Sequence, residues 1–173
     1  MVVYSVCLPL VTTAAAVRHS LVVRIYDAAG LDARERARMM DDARLALAAE
    51  HMDVVWHDCD GRAGSLHGWC ADAPAPRELI VRLVRAPGPA NRQVLGHAYV
   101  DPARSHGTLA TVFIDRIERI AADVNADRSL VTGRVIAHEI SHLVRGSVHT
   151  DAGLMKPVWT LEDLTACARA EVS

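Results

Sequence analysis

Between Ala137 and Met155 the chain reads AHEISHLVRGSVHTDAGLM, three histidines and a glutamate close together in sequence. His138 and His142 stand four residues apart, so on a helix both imidazoles project from one face and can share an ion. Glu139 is the next residue round. It falls beside such an ion rather than on it, where a general base for a metal-activated water belongs. Zinc lowers the pKa of a water it holds from about 15.7 towards about 7, so a neighbouring carboxylate can take the proton and pass it to a leaving amine. Catalytic zinc needs a third protein ligand and keeps its fourth position open. Gly146 allows the chain to turn back after the helix, and His149 is the expected third ligand. Asp151 is the alternative, because a carboxylate also closes such a site. The competing reading is a helix with solvated histidines and an unrelated loop.

The surrounding elements must hold these groups. A β-branched run, Ser20–Asp27, reads as a strand that stops at Ala-Ala-Gly. A helix follows, with Asp32 and Glu35 at capping-box spacing and an expected packing face of Ala37, Met40, the stem of Arg44 and Leu47. MDVVWHD, RELIVRLVR (Arg77–Arg85), VLGHAYVD and TLATVFID read as further strands, and RIERIAADV as a short helix. The helix carrying the histidines is expected from about Asp127 to Arg145. Ile136, Ile140, Leu143 and Val144 would pack on the sheet, with His138 and His142 opposite. A last helix begins near Thr160, with Thr160 and Asp163 spaced as a cap. This order describes one α/β or α+β domain, residues 18–173.

Composition narrows the function. The apolar fraction of 51% excludes a disordered chain, and 173 residues suffice for one core. A net charge of −2, from 19 basic and 21 acidic residues, gives no reason to expect nucleic acid as partner. The opening segment, residues 1–17, is apolar, too short to span a bilayer, and ends in Ala14-Ala15-Ala16. It reads as a signal peptide for secretion or a periplasmic location. A buried first strand in a cytoplasmic protein is the alternative. Cys59 and Cys70 bracket a Gly-rich loop that a disulfide could close, worth about 2–3 kcal/mol.

With these residues in place, the sequence resembles the metzincin zinc endopeptidases. HEISHLVRGSVH is similar to their long zinc signature, with His138 and His142 as ligands and Glu139 as base. GLM resembles the Met-turn, which implies Met155 as an apolar floor beneath the metal. HTDAGLMKPVW is similar in run to the matrix metalloproteinases, where the stretch matching Lys156, Pro157 and Trp159 walls the primed-side pocket. Leu95, Gly96, His97, Ala98 and Tyr99 resemble the edge strand that binds peptide by strand addition. The resemblance implies a twisted, mostly parallel sheet, a long active-site helix and a C-terminal helix. Three residues, Leu143, Val144 and Arg145, separate His142 from Gly146 where the family has two. This marks a small, divergent, bacterial-type member. No tyrosine follows Met155 to assist oxyanion binding.

The expectation is therefore a monomeric zinc endopeptidase acting on peptide or protein substrates, without a stable membrane span. The alternative is a catalytically inactive protein of the same fold that binds a partner peptide or a structural zinc. His97 reads as a substrate donor or, in preference, a packing residue, and Asp41 and Asp42 as solvated carboxylates.

Overall fold

The computed structural model describes residues 19–59, 68–86 and 94–166. The expected signal segment, with Cys7, and the distant Cys167 lie outside them. Strands β1 (His19–Asp27), β2 (Met52–Asp58), β3 (Leu79–Val84), β4 (Gly96–Asp101) and β5 (His106–Phe113) form one sheet in the order β2-β1-β3-β5-β4. Helix α1 (Ala33–Ala49) connects β1 to its parallel neighbour β2, a pairing that needs such a crossover. β3 and β5 continue the parallel set. β4 joins β5 through a tight turn at Asp101–Ser105, which makes this pair antiparallel and leaves β4 at the sheet's edge. Helices α2 (Ile114–Val124), α3 (Arg128–Arg145) and α4 (Leu161–Ala166) follow. The protein is thus a mixed α/β domain around a mostly parallel five-stranded sheet.

Alternation decides which side of the sheet is core. Val23, Ile25, Val81, Leu83, Ala110 and Val112 are fully buried, and α1 and α3 supply Met39, Leu47, Ile136 and Ile140 to the same cluster. Asp127 caps α3 through the Ser129 N–H at 2.7 Å. Arg128 then ties that helix end to Glu35 of α1 and Glu118 of α2, at 2.6 and 2.7 Å. Thr160 and Asp163 form a reciprocal cap on α4: the Asp163 N–H donates to Thr160 Oγ1 at 3.2 Å and the Thr160 N–H to Asp163 Oδ2 at 2.7 Å.

Three expectations about burial are corrected. The buried stripe of α1 is Glu35, Arg36, Met39, Ala43 and Leu47, while Ala37 and Arg44 are exposed. Two charged residues begin that stripe because each finds partners: Glu35 pairs with Arg128, and Arg36 with Asp27 and Asp58. A pattern of apolar residues does not register them. Asp42 is half-buried rather than solvated, because it faces α3 at Gly133, where a Cβ would meet Asp42 Cβ at 2.6 Å. Val144 is 38% exposed, since it lies about 80° round the helix from Ile136.

Candidate metal centre

Helix α3 is buried on most sides, between α1 and the β4–β5 edge of the sheet, so its polar residues are held in place by packing. His142 and Glu139 are buried and His138 is partly so. The helix stops at Gly146, whose N–H still donates to His142 O at 2.9 Å. Gly146 has φ 86° and ψ −172°, a conformation that β-carbons disfavour, and it turns the chain back over the helix. That turn brings His149 to the helical pair despite the longer spacing. His142 Nε2 lies 3.0 Å from His138 Nε2 and 3.2 Å from His149 Nε2.

Hydrogen bonds on the far side of two rings show what these nitrogens present. His138 Nδ1 lies 2.8 Å from Leu154 O, and His142 Nδ1 3.0 Å from Gly146 O. A carbonyl only accepts, so each Nδ1 carries the proton, and a neutral ring then holds its lone pair on Nε2. Burial pushes the His138 pKa down to about 4, with the neighbouring His142 and His149 adding to the fall and the Leu154 carbonyl opposing it. Burial likewise lowers that of His149. Converging lone pairs repel unless a cation lies between them. Zinc–imidazole bonds of about 2.0–2.1 Å in a tetrahedron put donor atoms about 3.3 Å apart, close to the spacings here. The donor set therefore fits one metal ion, held by His138, His142 and His149. Asp151 is exposed and stands outside that cluster.

Glu139 leaves the same helix towards β4. Burial pushes its carboxyl up to about 7, against the lowering effect of the Ala98 N–H. A buried acid in that range, open to the cleft, is suited to accept and return a proton near neutral pH. Glu139 and the three histidines open into a cleft of about 830 Å³. One rim is the edge strand at Leu95–Ala98 and the other is the segment Lys156–Trp159. Ile120, Val135 and Leu164, from three different helices, close the back; they have no common signal in the sequence.

The other residues singled out above take these places. Met155 is buried, and its carbonyl accepts the Thr150 N–H at 3.0 Å, closing the loop that follows His149. Pro157 is exposed on the rim. Trp159 sets its ring edge-on to His138, with centroids 5.4 Å apart, and carries the Arg134 guanidinium over its face at 5.1 Å. His97 is exposed and lies edge-on to Tyr99 rather than packing into the core. Tyr99 is 51% exposed and does not line the cleft. Lys156 is tied to Asp163 at 2.5 Å, a contact that fastens the rim to α4. Cys59 and Cys70 form a disulfide with Cα atoms 5.5 Å apart, beside β2 at the opposite edge of the sheet from the cleft. No helix among the described residues is long and apolar enough to cross a membrane. No protein-family model matches this chain and no curated protein matches it significantly.

Proposed function

We propose that this protein is a zinc-dependent endopeptidase of metzincin type. The observation that carries the reading is the convergence of three imidazole Nε2 atoms beside a buried carboxylate, in a cleft bordered by a sheet edge. His138, His142 and His149 would hold the metal. Zinc supplies Lewis acidity there, polarising a water and the scissile carbonyl. A peptide lies extended along β4, adding a strand to the free edge, so its backbone is oriented before any side chain is read. Glu139 takes the proton of the attacking water and returns it to the leaving amine nitrogen, which makes one carboxyl both base and acid. The apolar back of the cleft excludes bulk water and receives a substrate side chain. The Cys59–Cys70 disulfide supports export to an oxidising compartment.

Glu139→Gln tests the mechanism. The variant keeps its zinc and loses hydrolysis of an unstructured protein substrate by about 100-fold or more. Cleavage that survives this change refutes the role of Glu139. A retained zinc with no cleavage even in wild type favours the partner-binding alternative.

A further inference from the structure

Glu139 is the one carboxylate lining the cleft among the described residues, and little space is left around it. Its carboxyl accepts the Ala98 N–H, and the backbone of Gly96 lies directly against it. A Cβ on Gly96 would stand 2.5 Å from Glu139 Oε1, 2.7 Å from Cγ and 2.8 Å from Cδ. Relieving such contacts requires a shift of about 1 Å. The strand is poorly placed to make that shift. Leu95 O accepts the Phe113 N–H at 2.9 Å, and Gly96 is paired with Val112 across the ladder. One residue earlier, Val94 O accepts from Arg116 Nη1 at 2.6 Å. Arg116 is itself buried, its guanidinium 4.0 Å over the Phe113 ring. The start of β4 is therefore held by β5 and α2 together.

We propose that Gly96 is a positioning residue for Glu139. The carboxylate occupies the place a side chain at residue 96 would take, and the anchored strand sets its distance from the three imidazoles. The inference rests on the reading of Glu139 as the base, and it goes further by naming what aims that base. Gly96→Ala displaces the carboxylate, since the three atoms nearest the new Cβ all belong to Glu139. A misplacement of about 1 Å in a reacting group lowers the rate by about 100-fold. Substrate binding along the rest of the cleft changes less.

The test measures kcat, KM and zinc content on an internally quenched peptide for wild type, Gly96→Ala, Glu139→Gln, Glu139→Asp and the double variant Gly96→Ala/Glu139→Asp. Gly96→Ala is expected to keep its zinc and lose kcat by about 100-fold, with KM within about twofold. Aspartate is one methylene shorter, so Glu139→Asp costs less in the Gly96→Ala background than in wild type. An unchanged kcat in Gly96→Ala, with Glu139→Gln inactive, overturns the role of Gly96 alone. So does loss of zinc from Gly96→Ala. A wild type no faster than Glu139→Gln overturns the reading of the site on which the inference rests. If Gly96→Ala does not fold, Arg116→Met probes the same wall from behind. It is expected to lower kcat by at least about tenfold with zinc retained, and an unchanged kcat overturns the proposal.

Discussion

Replacing Gly146 by alanine strains the turn that carries the chain from α3 to His149. At φ 86° and ψ −172° this residue occupies a region that is nearly confined to glycine, where a side chain costs of order 1–3 kcal/mol. The new Cβ would also meet Ser105 O at 3.1 Å, a tight contact with a turn that can yield. The strain can be met in two ways. If the backbone is held, zinc-free protein loses about 1–3 kcal/mol of stability and zinc affinity is unchanged. If the backbone rotates instead, Gly146 O leaves His142 Nδ1, now 3.0 Å away, and His149 is turned from the site. Zinc affinity then falls by roughly fivefold to 150-fold, the same energy expressed as binding. The zinc-saturated protein loses the sum in either case. Urea unfolding with and without zinc, together with a competition titration against a chromophoric chelator, separates the two. A zinc-saturated stability within about 0.3 kcal/mol of wild type, with affinity unchanged, would refute the argument that this turn aims His149.

Three further outcomes are expected. Ile140→Ala removes a fully buried side chain between the helices and the sheet, and should cost about 2–5 kcal/mol in denaturant unfolding. A cost below about 1 kcal/mol would mean that α3 is not packed as described. Reduction of the Cys59–Cys70 disulfide, or its replacement by serines, should lower stability by about 2–3 kcal/mol and leave hydrolysis unchanged, because the bond and the cleft lie at opposite edges of the sheet. Loss of activity on reduction would contradict that separation. Asp163 is held below the usual carboxylate range by Lys156 first and by the Thr160 N–H and hydroxyl. Its folded pKa is depressed, so its contribution to stability is complete above about pH 5 and is lost progressively as the pH falls from the unfolded value, about 3.9, towards the lower folded one. A carboxyl NMR titration should find Asp163 still ionised where exposed aspartates are half-protonated; an ordinary midpoint would show that the Lys156 tie is not formed.

The chain's local patterns describe most elements well because most strands end in turn residues and the two longest helices begin at a cap; β5 instead runs directly into α2, whose first turn has no side-chain cap. Asp32, Asp127 and Thr160 all stand where a helix begins. The helical pair His138 and His142 is equally local, since four residues of helix suffice to align two rings. What fails is anything that depends on a partner from elsewhere in the chain. The inward face of α1 differs from the apolar pattern because Glu35 and Arg36 are buried by virtue of Arg128, Asp27 and Asp58, which no pattern within that helix reveals. The back of the cleft is invisible for the same reason, being assembled from Ile120, Val135 and Leu164 on separate helices. Spacing left His149 and Asp151 both open as third ligand. In the folded chain the choice depends on the turn angle at Gly146, which spacing does not specify. Gly96 could be read from sequence only as part of an edge strand; its contact with Glu139 needs the packing of β4 on α3.

Zinc content is the most direct probe of a metal site built from three histidines. Elemental analysis of metal-replete wild type should give about one zinc per chain, largely lost in His149→Ala and kept in Asp151→Ala. Retention in His149→Ala with loss in Asp151→Ala would move the third ligand to the carboxylate and contradict the geometry at Gly146. No zinc in wild type would contradict the metal centre itself, leaving the converging imidazoles without a function.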